Sequence, residues 1–98
     1  MIQPAVVRAD YCLGIEDVAG LMFVHATVLR WTAQVMRAFR ADLDGVLRAF
    51  GPPLFACAVQ PDGGEHRKFL RFVERMGFGY HSVIWVQGLA RCVFVRWI

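Results

Sequence analysis

From Val28 to Phe50 the apolar residues Val28, Trp31, Val35, Phe39, Leu43, Val46, Leu47 and Phe50 recur three or four positions apart, with one adjacent pair. That spacing lays them along one stripe of a long helix. Arg30, Gln34, Arg37, Asp44 and Arg48 fall on other faces. Thr27 is placed to cap the helix, since its hydroxyl can accept a hydrogen bond from an orphan amide. Gly45 weakens the helix by about 1 kcal/mol relative to alanine without ending it. Gly51-Pro52-Pro53 ends it, because proline cannot continue the hydrogen-bond ladder. A helix with one apolar stripe must bury that stripe, so the flanking segments have to supply the surface it covers.

Both flanks are uninterrupted apolar runs, Val18 to His25 before the helix and Leu54 to Val59 after it. Their length and bounding turn residues predict strands. Strand, helix, strand in that order is a βαβ unit with parallel strands. Ahead of it, residues 5–15 predict a short strand, with Gly14, Glu16 and Asp17 marking the turn. After it, Gln60 to Gly64 is a loop, and a second helix is expected from about Glu65 to Met76, with Phe69, Leu70, Val73 and Met76 inward. Gly77 sits where a left-handed residue closes a helix. Tyr80–Val86 and Ala90–Ile98 flank Gln87-Gly88 and predict an antiparallel hairpin.

The chain of 98 residues is 57% apolar and 19% charged. Those values exclude disorder and leave room for one domain. Arginines interrupt every apolar run before it reaches the ~18 residues of a membrane span. The opening MIQPAVVRAD lacks the basic-then-apolar layout of a signal peptide, which leads us to expect an intracellular domain. Eleven basic residues, ten of them arginine, against eight acidic ones give a net charge of +3. That excess is modest for a nucleic-acid binder, and arginine is also the usual cation of protein interfaces.

The segment His66 to Phe78, HRKFLRFVERMGF, closes a helix in Met-Gly-Phe. It resembles the fourth-helix signature of the GCN5-related N-acetyltransferases, in which a helix opens with asparagine and ends in Leu-Gly-Phe. The surrounding order over residues 18–98 is similar to the C-terminal half of that fold. A narrower resemblance, carried by Arg40 to Phe55 (RADLDGVLRAFGPPLF) and Phe69 to Phe78 (FLRFVERMGF), is to phage acetyltransferase-like proteins of the internal-virion-protein-A type. The resemblance implies a truncated acetyltransferase-like α/β fold over residues 1–98. It would comprise a mixed sheet with a βαβ unit, a second helix and a C-terminal hairpin.

It also implies where the family's chemistry would sit. The family cradles a coenzyme A pyrophosphate on backbone amides at the start of the long helix, using a glycine-bearing loop. The matching stretch, His25 to Ala33 (HATVLRWTA), has no glycine, and Val28 and Trp31 are bulky there. The family's thiolate-protonating tyrosine falls at Val73, and its helix-opening asparagine at His66. About 17 residues precede Val18, too few for the family's acceptor-substrate half. The resemblance therefore implies a non-catalytic structural or interaction protein of a phage virion or its assembly, located in the virion or host cytoplasm, with no catalytic, cofactor or metal residues. The alternative is a coenzyme A-dependent N-acetyltransferase, minimal or completed by a partner subunit. Nucleic-acid binding through Arg30, Arg37, Arg40 and Arg48 is a weaker third reading.

No other residue set carries chemistry by its pattern. His25, His66 and His81 and the cysteines Cys12, Cys57 and Cys92 show no metal-ligand spacing. Cys57 lies mid-strand among apolar neighbours, as an inert core thiol would. Gly63-Gly64 lacks the lysine pattern of a phosphate loop. A final strand Cys92 to Ile98 that is apolar on both faces is expected at a sheet edge, where it would pair with another copy or a protein partner.

Overall fold

The computed structural model describes residues 1–57 and 63–98. Its elements are β1 (Gln3–Val7), β2 (Tyr11–Val18), β3 (Leu21–Val28), α1 (Ala33–Phe50), β4 (Leu54–Cys57), α2 (Gly63–Arg75), β5 (Gly79–Val86) and β6 (Leu89–Arg96). The six strands form one mixed sheet in the order β1-β2-β3-β4-β6-β5. The expected βαβ unit is β3-α1-β4, and its strands pair in parallel.

The N-terminal third differs from expectation. Residues 5–15 belong to two strands, and the turn after β2 is Ala19-Gly20, with φ of 53° and 86°. Two consecutive left-handed residues match the right-handed twist of a two-residue hairpin. The Asp17 carboxylate fixes the turn by accepting from the Gly20 amide at 2.9 Å. Gly14, expected in the turn, is mid-strand. A Cβ there would stand 2.7 Å from Ile2 Cγ2, so the glycine serves close approach by the start of β1.

The helix starts later than its periodicity suggests. Val28 pairs with Tyr11 at the end of the β2–β3 ladder, and Trp31 lies in the linker that follows. The ladder satisfies a backbone amide and carbonyl at each step, which outweighs one turn of amphipathic pattern. Thr32 rather than Thr27 is the cap, with its Oγ1 accepting from the Val35 amide at 3.1 Å. The ends of the other elements agree more closely. Gly77 is left-handed, and Phe78 and Gly77 donate to the Val73 and Glu74 carbonyls at 2.9 and 3.0 Å, which closes α2. Gln87-Gly88 forms the last hairpin turn, with φ of 52° and 77°.

The final strand is not the edge. β6 lies between β4 and β5, and among the described strands β5 is the outer one at that end of the sheet. Two apolar strands of similar length look alike in sequence, and only the sheet order separates the inner one from the outer.

Both helices pack on one face of the sheet. The core joins Tyr11, Leu13 and Ile15 of β2 to Val35, Phe39, Leu43, Val46 and Leu47 of α1, Leu54 of β4, and Val73, Met76, Phe78 and Phe94. The opposite face carries Phe23 against Phe55, with ring centroids 5.6 Å apart, and His81 edge-on to Phe55 at 5.5 Å. Among the described residues no helix is long and apolar enough to cross a membrane.

Candidate functional site

Among the described residues, β3 and β4 pair in parallel at Phe23 opposite Phe55. β3 runs on to Val28, while β4 pairs with β6 along its whole length, from Leu54–Arg96 to Cys57–Val93. The start of α1 follows the carboxyl end of β3, the first strand of the parallel pair. In an open α/β sheet this is the position at which a ligand is held, outside the carboxyl ends of the strands and beside an amide-bearing helix start.

The residues at this position do not expose bare backbone. The linker Leu29 to Thr32 contains no glycine. Trp31 is 63% exposed, and its ring meets Phe72 of α2 edge-on at 5.2 Å. Phe72 in turn meets Phe39 at 5.0 Å, and Phe39 meets Tyr11 at 5.2 Å. A file of rings thus runs from the core to the linker, and its last member bridges from the start of α1 to α2. A coenzyme pyrophosphate needs backbone amides within hydrogen-bond reach, and an indole packed from the linker onto α2 is a poor neighbour for it. Val73, where the resemblance places a tyrosine acid, is buried in the core and has no proton to give. The residues present do not fit the coenzyme's diphosphate.

Two ionic clusters, each joining groups far apart in the chain, escaped the sequence reading. Arg8 Nε and Nη2 donate to both carboxylate oxygens of Asp42 at 3.0 and 2.9 Å. The buried Tyr11 hydroxyl donates to the same carboxylate. The Arg8 guanidinium holds Asp42 below the usual carboxylate range, and Asp42 raises the Arg8 pKa in return. Burial, followed by the hydrogen bond to Asp42, pushes the Tyr11 phenol up, so it is a fixed neutral donor and not a mobile acid. Stability below pH 4 is predicted to follow Asp42. Its depressed folded pKa stabilises the protein above the unfolded value of about 3.9, and that contribution is lost as pH falls through the folded value. Tyr11 acts in the opposite sense: its contribution is complete below about pH 10 and is lost as pH rises through its folded value. Urea midpoints measured across pH should show a shallower acid limb for Asp42→Asn than for the parent.

The second cluster lies at the end of β6. Arg96, only 6% exposed, donates from Nη2 to Asp44 and from Nε to the Ile98 carbonyl at 2.8 Å. Asp44 also lines an open groove of about 540 Å³ between α1 and α2, with Arg37, Arg40 and Arg75. Arg40 reaches across and donates to the Arg75 carbonyl, which satisfies the end of α2. Of the four α1-region arginines considered for nucleic acid, Arg37 and Arg40 share this groove.

The remaining candidates lie apart. His25, on the face away from the helices, pairs with Glu16 at 3.0 Å, and that hydrogen bond is the largest cause holding Glu16 below its ordinary value. His81 bonds Ser82 Oγ through Nδ1 at 2.8 Å. The His66 side chain, the last two residues of the expected Leu54 to Val59 strand, and Gln60 to Asp62 of the expected loop lie outside the described residues, whereas Gly63 and Gly64 of that loop open α2. Burial pushes the Cys57 thiol up, the direction expected of an unreactive cysteine. Among the described residues no three His, Cys, Asp or Glu side chains gather as metal ligands.

No family model matches the sequence, and no curated protein is similar to it at a significant level. Among solved structures, the chain is similar to a Bordetella pertussis protein assigned to the GNAT family of acetyltransferases. The TM-score is 0.65 at 17% identity, over 89% of this chain and 57% of that one. The fold is therefore GNAT-like: a small α/β arrangement with a mixed six-stranded sheet and two helices. The chain spans little more than half the length of the structure it matches.

Proposed function

We propose that this chain is a non-catalytic member of the GNAT-like fold, acting through protein contacts. The observation that carries the reading is Trp31. Its ring spans from the start of α1 to Phe72 of α2, at the position where a coenzyme's diphosphate would need open backbone. The absence of glycine from the linker and the buried Val73 support the same reading from the chemistry of binding and of proton transfer. A phage particle or its assembly is the setting the narrower resemblance favours, carried by the segments Arg40 to Phe55 and Phe69 to Phe78.

Calorimetric titration with acetyl-CoA tests the reading. No saturable heat is expected up to about millimolar ligand, the weak-binding limit of roughly −4 kcal/mol. A dissociation constant in the micromolar range, or acetyl transfer to any amine by the purified chain, overturns it. Mass spectrometry of purified virions tests the setting.

A further inference from the structure

We propose that β5 is a self-pairing edge, through which two copies of this chain join their sheets into one. The inference deepens the protein-contact reading by naming the partner as a second copy.

The two edges of the sheet are built differently. β1 carries Pro4, which has no amide to donate, and its register slips between Pro4 and Val6. Proline and irregular pairing are both devices that stop an edge from adding strands. β5, GYHSVIWV, has no proline, lysine or arginine. Its one irregularity lies near its start, between Tyr80 and Ser82, and the rest pairs regularly with β6 as far as Val86. Among the described residues no strand pairs with the outer side of β5, and an edge with no blocking residue is a template for another strand.

The side chains point to the same partner. Tyr80, Val83 and Trp85 share the helix-bearing face, as their register with Phe94, Cys92 and Ala90 requires, yet all three lie beyond the cover of the helices. Trp85 is 75% exposed, and Ile84 is exposed on the other face. With no formal charge on β5, two copies can meet antiparallel about a two-fold axis without like charges opposed. Because β1 is blocked, β5 cannot stack head-to-tail onto it, and the pairing closes at two copies instead of growing into a filament.

The exposed apolar side chains also cluster on this strand. Tyr80, Val83, Ile84 and Trp85 all lie open to solvent. Aromatic side chains of this kind are the usual anchors of a protein interface.

Sedimentation or light scattering from about 1 to 100 µM tests the pairing, a range that brackets micromolar association. A mass twice the 11.1 kDa of the chain is expected. Val83→Lys and Trp85→Lys, the second altering an already exposed side chain, should each weaken the dimer at least about 30-fold, as loss of an interface anchor does. Circular dichroism should remain unchanged. Val7→Lys on β1 should leave the dimer intact. A monomer throughout the range overturns the proposal, as does open-ended growth or a dimer indifferent to both β5 changes. A dimer that binds acetyl-CoA would overturn the non-catalytic reading alone, and a monomer that ignores acetyl-CoA would overturn the pairing alone.

Discussion

Truncating Phe39 to alanine is expected to cost about 3–5 kcal/mol, the range for emptying a large aromatic site in a closed core. Phe39 is 1% exposed and sits mid-helix on α1, in the file of rings that joins Tyr11 of β2 to Phe72 of α2 and Trp31 of the linker. Aromatic pairs of this geometry add about 0.5–1.5 kcal/mol beyond burial, so losing two of them places the cost toward the upper end. The neighbours cannot readily collapse into the space. Tyr11 is tethered to Asp42 through its hydroxyl, and Phe72 is held on its other side by Trp31. For a domain of this size the melting temperature should fall by roughly 15–30 °C. Phe39→Leu, which keeps most of the apolar volume, should recover more than half of the loss. Thermal unfolding followed by circular dichroism reads both. A Phe39→Ala chain melting within a few degrees of the parent would show that the ring file does not organise the core.

That file was half legible in the sequence. The stripe Val35, Phe39, Leu43, Val46 and Leu47 is buried as its spacing requires, and Gly51-Pro52-Pro53 ends the helix where breakers should. The Gln87-Gly88 hairpin and the Gly77 helix stop were also local: one or two residues with the right backbone freedom fix each. What failed was set by distance. Val28 and Trp31 continue the helical period by coincidence, and only the β2–β3 register shows that the strand claims Val28. The turn at Ala19-Gly20 was hidden because Ala19 is an unusual left-handed residue, whereas Gly14 looks like a turn and is needed for contact with Ile2. β5 and β6 exchange roles only once β4 is seen to pair with β6.

The site followed the same rule. Its missing features, the absent glycine and the valine in place of a tyrosine, could be read position by position once the resemblance supplied a template. The Trp31–Phe72 contact could not, because the two residues lie on separate elements. The Arg8–Asp42 and Arg96–Asp44 pairs join residues 34 and 52 positions apart, and no periodicity announces them.

The Arg96–Asp44 pair should be the most costly polar contact to break. Arg96 ends β6 on the helix-bearing face, and Gly77 is bare beside it; a Cβ there would stand 3.0 Å from its Nε. The guanidinium has the Asp44 carboxylate and the Ile98 carbonyl as partners, and its Nη1 is buried with no partner among the described residues. Asp44→Ala would leave a nearly buried cation with one carbonyl to face. Removing one member of a buried pair costs about 3–5 kcal/mol. Asp44 is itself about a third exposed, so water can replace part of what it supplies, and about 2–4 kcal/mol is expected. The double change Asp44→Ala with Arg96→Met should recover much of this, because the charge that needed a partner is gone and an apolar chain fills its place. If the two changes simply add, the pair is not coupled and Arg96 is held by packing alone. The consequence extends to the edge strand. β6 is the strand on which β5 rests, so in the separated chain Asp44→Ala should loosen β5 and β6 before the centre of the sheet. Amide exchange would register this as lost protection in β5 and β6 at denaturant concentrations where β2 and α1 remain closed.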